Sequence, residues 1–152
     1  MMNMTIDETI SEQPKRLLFV DDTMTVGSTF RSSVEFVMKK FMEKNHYETD
    51  IASSEEEALE YIAQKQYDVV FTDGNLRSGQ TDFSGGIAVA KAAKEKESYV
   101  VGISSTPTQF AQVAKDSLDV NYKKPFGFIE LFYLIKEKPT HEEFEKYERD
   151  QR

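Results

Sequence analysis

The 152-residue chain contains no cysteine, so disulfide bonds, thiolate metal sites and cysteine nucleophiles are excluded. It has no apolar run near the ~20 residues that a membrane-spanning helix needs, and residues 1–14 lack the apolar core of a signal peptide. Positive charge is also in deficit, since 19 Lys and Arg face 27 Asp and Glu, for a net charge of −8. This balance argues against nucleic-acid binding. The sequence predicts a cytoplasmic protein that binds neither membranes nor nucleic acids.

The length allows one domain with a single core. Residues 1–14 are polar and acidic, which predicts a flexible leader, and residues 15–138 hold all the predicted strands. Residues 139–152 predict a charged C-terminal tail, too short to fold alone. The two histidines, His46 and His141, lie apart from the motifs below and are assigned neither as metal ligands nor as phosphoryl carriers.

The stretch Val69–Asp73 is the clearest candidate for a central strand. Three bulky apolar residues and a threonine lead into an aspartate and a glycine, which is typical of a strand buried on both faces of a parallel sheet. Ligands of open α/β sheets bind at the carboxyl ends of such strands. The role of Asp73 therefore depends on which other residues converge on it.

Strands and helices alternate five times along the chain, which predicts an α/β fold with a parallel sheet and helices on both faces. One predicted helix begins with a capping box formed by Ser54 and Glu57. The predicted strands lie at residues 17–20, 47–51, 67–72, 99–103 and 120–122, and four of the helices at 27–44, 54–66, 87–96 and 128–138. A fifth, short helix is predicted to begin at residues 106–108 and to carry Phe110, Val113 and Ala114 inward.

Polar side chains stand at four predicted strand ends, which share one edge in a parallel sheet: Asp21 and Asp22, Asp73, Ser104, and Lys124. Crowded carboxylates repel one another, and a hard dication such as Mg²⁺ relieves that repulsion. We expect Asp22 and Asp73 to ligate Mg²⁺ directly and Asp21 to act through water. The carbonyl of Asn75 is a further candidate ligand.

A free oxygen of Asp73 could then act as a nucleophile, because carboxylates form acyl-phosphate intermediates. Phosphoryl transfer depends mainly on positioning and on neutralising the phosphoryl oxygens. The ammonium of Lys124 could supply positive charge, and the hydroxyl of Ser104 could donate a hydrogen bond to a phosphoryl oxygen.

Four short motifs carry a family resemblance: residues 17–22, 69–73, 101–105 and 123–126. Their order, spacing and strand context resemble the receiver domain of two-component response regulators, over about residues 15–138. The resemblance implies a flavodoxin-like, doubly wound fold with strand order 2-1-3-4-5. By the family's pattern, Asp73 resembles the phosphoacceptor, Asp21 and Asp22 the Mg²⁺-binding pair, Ser104 the switch hydroxyl and Lys124 the lysine before proline.

The resemblance further implies a phosphoryl group taken from a histidine kinase or a histidine phosphotransfer protein, and a downstream protein target. The switching face would comprise the fourth helix, fifth strand and fifth helix. Where the family often has an aromatic residue, three positions before the lysine, this chain has Asn121, followed by Tyr122.

The first hypothesis is thus a stand-alone receiver, a binding module rather than an enzyme with a separate substrate. A haloacid-dehalogenase-like phosphatase is the second, because Asp21, Asp22 and Thr23 superficially suggest its first motif. It fits poorly, since the second carboxylate that this chemistry needs two residues later is missing. A degenerate receiver that binds its partner without phosphorylation is the third.

Overall fold

The computed structural model of the protein describes residues 15–22, 29–74, 83–104, 107–114, 116–123 and 128–151. The predicted leader, residues 1–14, lies outside this part of the chain. Strands and helices alternate up to residue 137, and one further helix follows. The elements are β1 (Lys15–Val20), α1 (Thr29–Asn45), β2 (Tyr47–Ala52), α2 (Glu55–Gln64), β3 (Val69–Asp73), α3 (Ser84–Glu95), β4 (Tyr99–Ser104), α4 (Pro107–Ala114), β5 (Val120–Lys123), α5 (Phe128–Glu137) and α6 (His141–Asp150).

The five strands form one parallel sheet in the order β2-β1-β3-β4-β5. This confirms the predicted flavodoxin-like strand order. Every residue of the central strand β3 is buried, as its unbroken apolar run predicts for a strand covered on both faces. Because the strands are parallel, all five carboxyl ends lie along one edge of the sheet.

The core has two layers because side chains alternate across the sheet. Val69 and Phe71 point into the layer that also contains residues of α1 and α5, and the Phe71 ring stacks on Phe19 of β1 with centroids 4.5 Å apart. Val70 points into the opposite layer, which contains residues of α2 and α3. This double burial fixes β3, and therefore the position of the aspartate at its end.

The start of α2 confirms Ser54 as the N-cap, since its hydroxyl accepts a hydrogen bond from the N–H of Glu57 (3.1 Å). The Glu57 carboxylate accepts its bond from the N–H of Ser53 (2.8 Å). In a standard capping box that bond comes from the N-cap residue. The cap therefore forms at the predicted residue, with its reciprocal bond moved one residue toward the N-terminus.

Helix α3 begins at Ser84, three residues before the predicted start at Ile87. The sequence predicts a loop at Gly85 and Gly86, because the stretch that ends there is polar and glycine-rich. Both are instead buried in the first turn, where Gly86 lies against the end of β3. A tight contact with backbone atoms, which requires the absence of a side chain, overrides the local sequence pattern here.

The segment predicted as a charged tail contains helix α6 and is packed onto the domain. Thr140 and Glu143 form a capping box at its start, and Phe144 has no exposed surface. Full burial of a phenylalanine contributes roughly 1.5–3 kcal/mol to stability. The helix is therefore part of the folded unit, although most of its other side chains face solvent.

No helix in the described part of the chain is both long and apolar enough for a bilayer crossing.

Alkaline pH is expected to destabilise the fold through Tyr67. Burial raises the pKa of Tyr67 above its ordinary value of about 10, and the hydrogen bond from its hydroxyl to Asp50 Oδ2 (2.5 Å) raises it further. The folded state therefore favours the neutral phenol, while the unfolded chain releases that proton above pH 10. The free energy of unfolding should be constant up to about pH 10 and then fall by up to ~1.4 kcal/mol per pH unit for this group.

Urea unfolding of the wild type and Tyr67→Phe between pH 8 and pH 11 measures this effect. Asp50 keeps its ion pair with Lys65 (3.0 Å) in the variant, so the comparison isolates the phenol. Tyr147→Phe, at a half-buried position of α6, is the control. Equal alkaline slopes for the wild type and Tyr67→Phe would contradict the prediction.

Candidate functional site

Three carboxylates meet at the carboxyl edge of the sheet. Asp21 and Asp22 follow β1, and Asp73 ends β3; each offers one oxygen, and these oxygens all lie within 4.8 Å of one another. Asp21 and Asp73 are buried, with 5% and 7% of their surfaces exposed, and Asp22 is half-buried. The structure thus brings together the three acidic residues that the sequence singled out.

Backbone hydrogen bonds hold both strand ends in place. The N–H of Asp21 donates to the carbonyl of Ala52 at the end of β2 (3.1 Å), and the N–H of Gly74 donates to the carbonyl of Ile103 on β4 (3.2 Å). Since β1 and β3 are neighbours with Val20 opposite Thr72, the residues that follow extend side by side. The acidic cluster is therefore a consequence of strand register rather than of loop conformation.

Ser104 ends β4 at the same edge and is buried, with 3% of its surface exposed. Its neighbour Ile103 pairs with Asp73, and Ser104 itself pairs with Lys123 on β5. The structure therefore places the predicted hydroxyl one residue further along the strand that borders β3. The other two predicted site residues, Asn75 and Lys124, lie outside the described residues.

The donor set of the acidic cluster fits Mg²⁺. This ion prefers oxygen ligands at about 2.1 Å in an octahedron, so that opposite ligands are about 4.2 Å apart. Carboxylate oxygens within 4.8 Å of one another are close to this spacing before any adjustment to an ion. Three partly desolvated carboxylates so close together also repel, and a divalent cation compensates for that repulsion.

A small aromatic cluster packs beside the end of β3, and sequence reasoning identified only part of it. Phe83 is buried and its ring stacks on Phe110 of α4, with centroids 5.4 Å apart. A side chain at Gly74 would approach both rings, to 2.8 Å and 3.1 Å. Phe110 was predicted to point inward, but Phe83 lies in a polar, glycine-rich stretch whose lack of periodicity hides it. The two rings therefore pack against Gly74, the residue that follows Asp73.

The fifth strand carries the residues at the family's aromatic position. Tyr122 is buried, its hydroxyl donates to Glu130 Oε1 (3.4 Å), and its ring meets Phe144 of α6 edge-on, with centroids 5.2 Å apart. Asn121 is half-buried and pairs with Gly102. Because Asp73 pairs with Ile103 and Ile103 with Tyr122, one row of neighbouring residues joins the acidic cluster to the Tyr122 ring.

The sequence matches no protein-family model and no curated protein, but solved structures share its fold. A CheY-like receiver domain from Methanospirillum hungatei JF-1 is 24% identical, matches 89% of this chain and 99% of its own, and has a TM-score of 0.60. Response regulator TrrA from Thermotoga maritima, solved in complex with Mg²⁺ and BeF, is 25% identical over 81% of this chain and 97% of its own, at a TM-score of 0.58. The receiver domain of Francisella response regulator 1452 is 25% identical, matches 80% of this chain and 93% of its own, and has a TM-score of 0.56.

The chain has the receiver-domain fold of response regulators. The sheet order, the helices on both faces and the coverage of nearly the whole of each similar receiver agree on this point. The resemblance found in four short sequence motifs is thereby confirmed at the level of the fold. In this receiver domain the acidic cluster lies at the edge where parallel α/β sheets bind their ligands.

Proposed function

We propose that this protein is a response regulator that accepts a phosphoryl group on Asp73 from a histidine kinase or histidine phosphotransfer protein. The observation that carries the proposal is the meeting of Asp21, Asp22 and Asp73 at the carboxyl edge of a receiver-type sheet. The similar receiver TrrA was solved with Mg²⁺ and BeF, which supports the same class of ligand here.

Asp73 is the proposed nucleophile. One of its oxygens attacks the phosphorus of a phosphohistidine; the new O–P bond forms as the N–P bond breaks, and the imidazole leaves with the electron pair and takes up a proton from water. Asp21 and Asp22, with Asp73 and the carbonyl of Asn75, would hold Mg²⁺, which supplies positive charge to the phosphoryl oxygens when bound. Ser104 would donate a hydrogen bond to a phosphoryl oxygen, and Lys124 would add a second positive charge.

The proposed output is a change in protein binding at the face of α4, β5 and α5. Moving the hydroxyl of Ser104 toward the phosphoryl group would favour one of two arrangements of that face. The protein would then act as a cytoplasmic binding module whose only chemistry is its own phosphorylation and dephosphorylation. Both proposed partners, the kinase and the downstream target, are proteins and not nucleic acids, which agrees with the net negative charge of the chain.

Incubation with a small phosphodonor such as acetyl phosphate tests the proposal. With Mg²⁺ present, intact-mass measurement should show the gain of one phosphoryl group, and excess chelator should abolish the gain because the three carboxylates then repel the incoming anion. A folded protein that gains no phosphoryl group would contradict the proposal and favour phosphorylation-independent binding. Hydrolysis of phosphate monoesters that depends on Asp21 would favour a phosphatase.

Metal affinity gives a separate prediction that does not depend on phosphorylation. Asp22→Asn removes one negative charge from the cluster but keeps the shape of a half-buried side chain, so Mg²⁺ should bind about tenfold more weakly. Calorimetric titration measures the change. The control is Asp116→Asn, an exposed position outside the cluster, and equal affinities for both variants would contradict the assignment.

A further inference from the structure

Helix α6 covers the open edge of the sheet. In the described part of the chain β5 pairs with β4 alone, so β5 is a lateral edge strand of the sheet. The N–H of Asn121 on that strand donates to Nδ1 of His141 (3.3 Å), in the first turn of α6. One turn later Phe144 meets the Tyr122 ring. The helix thus takes the place that a partner would take at this edge.

A few aromatic contacts hold α6 in this position. Phe144 is its one fully buried residue among the ten, and the ring of Tyr147 stacks on Tyr133 of α5 with centroids 3.9 Å apart. Isolated helices of this length are marginal in water. Elements with few buried contacts also open at lower free energy than the core. The packing of α6 on the domain should therefore depend on Phe144.

Two of the residues between α5 and α6, Lys138 and Pro139, are anchored to the rest of the domain. Lys138, the first residue after α5, has a left-handed backbone (φ 45°), and its ammonium pairs with Asp68 Oδ2 (2.9 Å). The carbonyl of Pro139 accepts a hydrogen bond from the hydroxyl of Tyr99. These contacts hold the chain immediately before α6. If α6 detaches, residues up to Pro139 can therefore remain in place, and α5 is not disturbed.

The side chains of α6 define what this surface binds. Its aromatic residues Phe144 and Tyr147 are three positions apart and lie on one face, as expected of anchors in a helix-in-groove contact. Five acidic and two basic residues occupy positions 142–150, and most of them are exposed. The occupant is therefore an amphipathic helix with two aromatic anchors one turn apart, whose charged side chains mostly face solvent.

We propose that α6 is an internal ligand of the β5–α5 surface, formed by Asn121, Tyr122 and Tyr133, and that a partner protein binds this surface by displacing α6. The partner would present an amphipathic helix with two aromatic residues at the same spacing as Phe144 and Tyr147. This mode of binding does not require phosphorylation of Asp73, so it stands or falls separately from the function proposed above.

A fluorescent peptide with the sequence of residues 139–151 tests the proposal on full-length proteins. Phe144→Ala loosens the internal ligand, so the peptide should bind this variant at least ~10-fold more tightly than the wild type, because it no longer competes with a tethered helix. The matched control is Lys146→Ala, an exposed position of the same helix, which should behave as the wild type. In ¹⁵N spectra the bound peptide should shift the amide signals of Asn121 and Tyr122.

Hydrogen exchange on the wild type tests whether α6 opens separately from the domain, and it does so even if Phe144→Ala fails to fold. The amides of α6 should exchange together and faster than those of β1 and β3, as expected of a unit that opens separately. Exchange of α6 only with the whole domain would overturn the proposal. Equal peptide affinity for all three proteins, or no binding to a folded Phe144→Ala protein, would overturn it as well.

Discussion

Asp73→Asn is expected to abolish phosphoryl transfer to the protein while leaving the fold intact. A carboxamide has nearly the same shape as a carboxylate but lacks its charge and is a poor nucleophile, so no acyl phosphate can form. The substitution also lowers the charge density of the acidic cluster, whose oxygens lie within 4.8 Å of one another, and the repulsion between Asp21 and Asp22 should not increase. The intact-mass signal of the phosphorylated form should fall below detection at every donor concentration.

The control for this experiment is Asp116→Asn, which makes the same chemical change at an exposed position away from the sheet edge. It should become phosphorylated at the wild-type rate. Circular dichroism and urea unfolding establish that the Asp73→Asn protein is folded. If a folded Asp73→Asn protein gained the phosphoryl group as fast as Asp116→Asn did, another residue would be the acceptor and the proposed role of Asp73 would be wrong.

The architecture and the acidic cluster could be predicted because both depend on local patterns that tertiary contacts do not override. An apolar run such as Val69–Phe71, which is short and followed by turn residues, is typical of a strand covered on both faces. Parallel strands place their carboxyl ends at one edge, so Asp21, Asp22 and Asp73 had to meet once the alternation of strands and helices was recognised. Their proximity in the structure follows from topology and register.

Features that depend on single non-local contacts could not be predicted in the same way. Phe144 stands among charged residues, and one aromatic residue without periodic apolar neighbours does not indicate which surface it covers. Phe83 is similar, since its burial requires the ring of Phe110 from a distant helix. Gly86 looked like a loop residue because it ends a polar, glycine-rich stretch, whereas its place in α3 is set by the backbone of β3.

Gly86→Ala is expected to destabilise the protein by about 2 kcal/mol, a typical magnitude for overpacking a well-filled site. A Cβ atom at Gly86 would lie 2.5 Å from the carbonyl oxygens of both Asp73 and Gly74, far inside van der Waals contact. Alanine gains up to ~1 kcal/mol of helix propensity over glycine, which offsets part of the clash. For a chain of this size the midpoint of thermal unfolding should fall by about 4–8 °C, at 2–4 °C per kcal/mol.

Gly102→Ala is the matched control, because it makes the same change in β4 and meets side chains instead of backbone. Its Cβ would approach Leu118 and Phe110 to 2.9 Å, and half-buried Leu118 can move aside. The loss of stability should therefore be less than half of that at Gly86. Since a Cβ atom at this position would meet the carbonyl oxygen of the proposed phosphoacceptor, Gly86→Ala should also slow phosphorylation by acetyl phosphate at temperatures where the variant remains folded. Equal stabilities and equal rates for the two variants would show that the close approach of α3 to Asp73 does not position this residue.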